Sequence, residues 1–164
     1  MTSKSNLKKS VQGWLEGILQ DPITKILMKN SHLTRAQIET LLIDILSENI
    51  AERKLVYEEK ARLRLLKEGV SRGAFNRTLK QARGNVIKSI YTVILLGYLG
   101  ILETPNLEPY IEIANKLRTY TEAYRSLIKN RKTGKERLKM INLLQKELEE
   151  GLSNLSKPKS LKKQ

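Results

Sequence analysis

Apolar residues recur at intervals of three and four from Leu7 to Leu152, and nowhere does the two-residue alternation of a half-buried strand persist. A chain patterned in this way buries stripes on helices rather than faces of sheets, so an all-α, multi-helix fold is expected. Val11, Trp14, Leu15, Ile18 and Leu19 mark a first helix, and Asp21-Pro22 opens a short second one through Ile23, Ile26 and Leu27. Trp14, the one tryptophan, reads as a packing anchor rather than a stacking platform. Thr34 and Gln37 have capping-box spacing, with Leu33 and Ile38 as the hydrophobic staple. Ile38, Leu41, Leu42, Ile45 and Leu46 then carry a helix to about Ile50. From Ala51 to Lys67 the chain stays helix-prone, with a weaker stripe of Leu55, Ala61, Leu65 and Leu66.

The longest apolar run, Ile90 to Leu102, is far shorter than the roughly 20 residues that span a bilayer, so it reads as a buried core helix. Its phase places Ile87, Ile90 and Ile94 on the arc that is basic upstream of Gly84, which predicts a break or a change of environment at Gly84-Asn85. Thr104-Pro105-Asn106 marks a loop, and Pro109 suits the first turn of a new helix. Tyr110, Ile113, Leu117, Tyr120, Tyr124 and Leu127 then follow a coiled-coil period, with the three tyrosines read as packing residues. After the turn signal Asn130–Gly134, Leu138, Ile141, Leu144, Leu148 and Leu152 resume the helical spacing. The organisation expected is therefore a helical domain over 1–104, a C-terminal αα-hairpin over 105–152, and a disordered basic tail over 153–164. The hairpin cannot bury its seam alone, so the Tyr110–Leu127 seam is expected to pack on the core or to form a homodimer.

Composition narrows the chemistry. The 31 Lys and Arg against 17 Asp and Glu give a net charge of +14, which points to a polyanionic partner. No cysteine and a single histidine, His32, exclude thiolate metal sites and the usual zinc and general-base arrangements, so no metal or cofactor is expected. His32 precedes a helix start and reads as a surface residue. Asp44 stands in an apolar stretch and reads as a partner for a neighbouring cation. Carboxylate pairs such as Glu58-Glu59 and Glu149-Glu150 sit in charge-rich helical surroundings, and no enzymatic activity is expected. With no apolar leader in the first residues, a cytoplasmic location is expected.

Charge is concentrated. Residues 51–90 hold 11 basic and 4 acidic side chains, a net of +7. Within them Gly69 is suited to a left-handed conformation and Ser71 to capping the helix that follows. On that helix Phe75, Leu79, Ala82 and Val86 fall within about 60° of one another. Arg72, Gly73, Asn76, Arg77, Lys80 and Arg83 fall on the other face, where Gly73 would let a phosphate come close.

The order Gly69, Val70, Ser71, Phe75, Arg77, Leu79 resembles the turn and recognition helix of helix-turn-helix DNA-binding proteins over about residues 61–86, and the helix-turn-helix-like segment is expected to occupy 52–83. Thr78 departs from the pattern, which usually has an aliphatic residue there. The resemblance implies that Arg72, Gly73, Asn76, Arg77 and Lys80 face the major groove, and that Leu65, Val70, Phe75 and Leu79 pack. The function expected is double-stranded DNA binding by a transcriptional regulator or chromosome-associated protein. Asn76 would meet adenine and Arg72 or Arg77 guanine, while Lys80, Arg83, Lys88, Lys129, Arg131, Lys132 and Lys135 would hold phosphates. The alternatives are a structured-RNA or ribosome-binding protein, and a helical adaptor for an acidic protein or membrane surface.

Overall fold

Thr34 and Gln37 close the capping box that their spacing predicts. The Thr34 hydroxyl accepts the Gln37 N–H at 3.2 Å, and the Gln37 carboxamide accepts the Thr34 N–H at 3.1 Å. The helix they open is the third of seven in the computed structural model, which describes residues 2–101, 108–129 and 134–156. In chain order these are α1 (Thr2–Gln20), α2 (Pro22–Lys29), α3 (Arg35–Ala51), α4 (Tyr57–Arg62), α5 (Arg72–Tyr98), α6 (Glu108–Lys129) and α7 (Gly134–Ser156), with no strand among the described residues. The all-α class is as expected. The chain divides into two compact units, Met1–Ser89 and Ile90–Gln164.

In the first unit α1 packs on α2 and α3, and α3 on α4. Val11, Leu15, Ile43, Leu55, Ala61, Leu63, Phe75 and Leu79 form the core, with Trp14 half-buried against it. Asp21 caps α2 by accepting the Thr24 N–H at 2.8 Å, and Pro22 occupies its first turn. The stripe expected on α3 is only partly buried: Ile45 is 65% exposed, whereas Gln37, Glu39, Thr40 and Ser47 are buried. Gln37, Glu39 and Thr40 go inside with partners there, whereas the Ser47 hydroxyl has none among the described residues. Glu39 accepts the Arg64 guanidinium at 2.8 Å as well as the Leu65 N–H, and Thr40 Oγ1 accepts from Arg64 at 2.9 Å.

The helix expected from Ala51 to Lys67 is reduced to the six residues of α4. Helix α3 ends at Ala51, where Glu52 takes a left-handed backbone at φ 52°. Leu55, Ala61 and Leu63 are all buried, yet on one continuous helix they would spread over about 200° of its circumference. Breaking the helix lets all three face the core. Past Arg62 the chain folds back, and Val70 N–H donates to the Ala61 carbonyl at 3.0 Å. Gly69 sits in that fold at φ +72°, where an added Cβ would lie 2.6 Å from the Arg62 Cα and 2.8 Å from the Ala61 oxygen. Gly69 is left-handed as expected, seven residues beyond the end of α4 at Arg62. Side chains of α1 hold the same segment: Gln12 donates to the Arg64 carbonyl at 2.7 Å and Lys8 to the Lys67 carbonyl at 2.8 Å.

Of the break or change of environment expected at Gly84-Asn85 there is no break, because α5 is one helix of 27 residues, but its large apolar side chains pass from buried before Gly84 to mostly exposed after it. One glycine costs a helix only about 1 kcal/mol, which neighbouring turns absorb. Its C-terminal stretch is not a buried core helix: Ile87, Ile90, Tyr91, Ile94, Leu95 and Tyr98 are exposed. Gly100, at φ +69°, ends α5 with the Ile101 N–H on the Leu96 carbonyl and its own N–H on the Gly97 carbonyl, a Schellman pair.

In the second unit α6 packs on α7. A Cβ on Gly151 would meet Ile113 Cδ1 at 3.2 Å, and Lys116 lies 3.9 Å from Glu147, so early α6 faces late α7 and the pair is the antiparallel hairpin expected. Tyr124, Leu144 and Leu148 are buried, and Ile113, Leu117 and Tyr120 are half-buried. The side chains of Tyr110 and Leu127, at the ends of the expected seam, lie outside those described. Helix α7 continues through Ser156, past the expected start of the tail at Ser153, and residues 157–164 lie outside those described.

The Glu39–Arg64 pair is 5% and 7% exposed, so removing one charge strands the other in the interior. Glu39→Gln is expected to destabilise the fold by about 3–5 kcal/mol in urea titration. A loss within about 0.5 kcal/mol, the range of ordinary surface substitutions, would show that the 63–71 segment does not depend on this pair.

Candidate nucleic-acid interface

Ser71 starts α5 as expected, its Oγ accepting the Ala74 N–H at 3.2 Å and its carbonyl accepting the Phe75 N–H at 2.9 Å. Phe75, Leu79 and Ala82 are buried, and Phe75 meets the Tyr57 ring of α4 at 6.3 Å between centroids. Two polar contacts to α3 set the rotation of the helix. Arg83 reaches the Asp44 carboxylate at 2.6 Å, and Asn85 Nδ2 donates to Gln37 Oε1 at 3.3 Å. With that side fixed, Arg72, Gly73, Arg77 and Lys80 are exposed.

Asp44, whose side chain is 8% exposed, also accepts Lys60 at 3.1 Å and so joins α3 to α4 and α5. It is the cation partner expected from the sequence, for two cations. Lys60 further bonds Glu48 at 3.0 Å. Burial pushes the Lys60 ammonium down, and its hydrogen bonds to Glu48 and Asp44 more than reverse this, holding it above the ordinary lysine value. Glu48 is held below the usual carboxylate value, first by the Lys60 hydrogen bond and then by the Leu55 N–H.

Much of the charge on residues 51–90 is therefore answered inside the protein. Arg53 pairs with Glu59, Arg62 with Glu58, Arg64 with Glu39, Lys60 with Asp44 and Glu48, and Arg83 with Asp44. No acidic side chain pairs with Arg72, Arg77 or Lys80 among the described residues. The first turn of α5 holds no acidic residue either. These three cations have no acidic partner among the described residues, and Arg72 stands at a helix N-terminus that carries a partial positive charge, an arrangement whose electrostatics would favour an anion.

The remaining sequence candidates are not equivalent. Asn76 is half-buried and its Oδ1 is buried without a hydrogen-bond partner, so in this conformation it cannot pair bidentately with adenine. Arg83 is tied to Asp44 rather than left to a phosphate. Gly73 has nothing within 4 Å of an added Cβ, so packing does not demand glycine there. Lys88 and Lys135 are exposed, in the first and second units respectively. The side chain of Lys129, and Arg131 and Lys132 entirely, lie outside the described residues. His32 is exposed as expected.

Sequence reasoning missed Glu39, Thr40, Arg64, Lys60 and Glu48 as the frame that orients α5. A signal existed, since Gln37, Thr40, Asp44 and Ser47 recur at 3, 4 and 3 along α3, a polar stripe easily read as a solvated face.

No family model, curated protein or solved structure matches this chain. Among the described residues no helix is long and apolar enough to cross a membrane, and no group of three or more His, Asp and Glu is placed to hold a metal ion.

Gly73→Ala is expected to raise stability by about 0.5–1 kcal/mol in thermal denaturation, because it relieves the helix of glycine's entropy without a clash. Unchanged or reduced stability would mean that the fold requires glycine at this position. Glu48 supplies a pH dependence: with its folded value below the ordinary 4.5, its contribution is present above that value and is lost as pH falls through the folded one. The gap in urea midpoint between the native chain and Glu48→Gln should be open at about pH 7 and narrow as the pH falls below 4.5, and a gap independent of pH would exclude this linkage.

Proposed function

We propose that this chain binds double-stranded DNA through the N-terminal half of α5, most simply as a cytoplasmic transcriptional regulator or chromosome-associated protein. The observation that carries the reading is the exposure of Arg72, Arg77 and Lys80 together on one helix. They stand without acidic partners among the described residues, while five neighbouring cations are paired within the fold. Lys54 and Lys67 are also exposed without an ion pair among the described residues, but lie outside α5.

An α-helix fits the major groove of B-form DNA, where arginine can bond guanine bidentately. Arg72 and Arg77 are the residues of this face suited to a base edge, and Lys80 to a phosphate. The amides of the first turn and the bare backbone at Gly73 add groups that favour a phosphate oxygen at close range. The helix-turn-helix resemblance supports the same face of α5. The support comes from that helix rather than from the pair, because the nine residues from Leu63 to Ser71 between α4 and α5 exceed the usual turn of three or four.

Affinity for a duplex should fall with salt, with a log–log slope of about −1 from the Lys80 phosphate contact, steeper as further Lys and Arg neutralise phosphates. Alanine at Lys80 should reduce the slope by about 1, whereas alanine at Arg72 or Arg77 should weaken binding by about 1–3 kcal/mol and relax the preference at one base pair. The measurement is fluorescence anisotropy of a labelled duplex across a salt series, and a slope near zero would exclude the proposal. Competition with an RNA hairpin distinguishes the polyanion, and preferential displacement by the hairpin would assign the face to structured RNA.

A further inference from the structure

We propose that the unit Ile90–Gln164 pairs with a second copy of itself through the apolar face that α5 presents from Ile90 to Tyr98. This does not rest on the nucleic-acid reading. Large side chains are poorly buried in this unit: among its described residues only Tyr124, Leu144 and Leu148 are buried, and they belong to the α6–α7 hairpin. By contrast Ile90, Tyr91, Ile94, Leu95, Tyr98 and Leu99 are exposed by 56%, 68%, 59%, 54%, 86% and 56%. Together they offer on the order of 750 Å² of side-chain surface, more than the largest apolar patch of a typical monomer. That is also close to the roughly 800 Å² per partner buried in a stable interface of standard size.

The shape and charge of the face select its occupant. On α5, Ile90, Ile94 and Tyr98 form one ridge at intervals of four, and Tyr91 and Leu95 form a second beside it, together covering about 140°. Ridges at this interval interdigitate with the same ridges of an identical helix. A two-fold axis through the face makes it self-complementary. From Ser89 to Ile101 there is no Lys, Arg, Asp or Glu, so two copies of a chain of net charge +14 can meet here without opposing like charges. A helix that lies on a membrane surface carries Lys or Arg along its polar side, and this stretch has none on any side. The seam of α6 offers less surface, because Tyr124 is buried, Ile113, Leu117 and Tyr120 are half-buried, and Ile113 lies against Gly151 of α7.

The test is the mass of the full chain in solution, without nucleic acid, by light scattering after size exclusion at about 10 µM, a concentration suited to a micromolar dimer. Two copies are expected. Ile90→Glu with Ile94→Glu should weaken pairing more than about a hundredfold and give one copy, since each removes a buried apolar contact and adds charge. Both positions are exposed in the single chain, so circular dichroism should show the same helix content. The chain has no cysteine, so Ile94→Cys, at the centre of the face, should give a disulfide-linked dimer on oxidation. Leu138→Cys, equally exposed on α7, should not. A native chain with the mass of one copy would overturn the proposal, as would a double-glutamate variant that still pairs. A native single copy that floats with phosphatidylcholine–phosphatidylserine vesicles would overturn it in favour of a membrane surface.

Discussion

The carboxylate of Asp44 is the point on which the N-terminal unit turns. It lies almost wholly out of water and receives Lys60 from α4 and Arg83 from α5. A buried carboxylate left alone would be costly, and two cations from different helices satisfy it only when both helices sit in one place. The interaction therefore acts more as a constraint on geometry than as a source of stability. Glu39 does the same for the irregular segment between α4 and α5, holding Arg64 and the Leu65 amide. With Gln37 bonded to Asn85, a stripe of polar groups on α3 defines where α5 begins and which way it faces.

The exposed surface of α5 follows from that constraint. Because Phe75, Leu79 and Ala82 face inward and Arg83 is held sideways, Arg72, Gly73, Arg77 and Lys80 are left in water. The cations that α3 and α4 neutralise and those they leave alone are interleaved along the sequence. They separate only in space, and the candidate interface consists of those of the second set that lie on α5, Arg72, Arg77 and Lys80.

Helix class and boundaries were legible wherever local physics decides them. The Thr34–Gln37 capping box, the Asp21-Pro22 start, the Ser71 cap and the α6–α7 hairpin all follow from short-range hydrogen bonds and regular apolar spacing. Two failures share a cause, which is that apolar spacing was read as burial. Ile45 is apolar and exposed on α3, and Ile90, Ile94 and Tyr98 are apolar and exposed on α5. Periodicity states which residues share a face, but not whether anything covers it. The shortness of α4 escaped for a different reason. Nothing local forbids a helix from Ala51 to Lys67, and only the demand that Leu55, Ala61 and Leu63 reach one core breaks it.

The sequence by itself determined an all-helical chain, the position of most helix starts, a concentration of positive charge over residues 51–90, and the glycine turn at Gly69, because these depend on contacts a few residues apart. Only the tertiary structure decided which cations are paired. Arg64 and Glu39 are 25 residues apart, and Arg83 and Asp44 are 39 apart, so their pairing depends on how α3, α4 and α5 pack. It likewise decided that the apolar stretch after Ser89 is a surface rather than a core, since a side chain's exposure is set by what lies opposite it, and its own neighbours in sequence do not encode that.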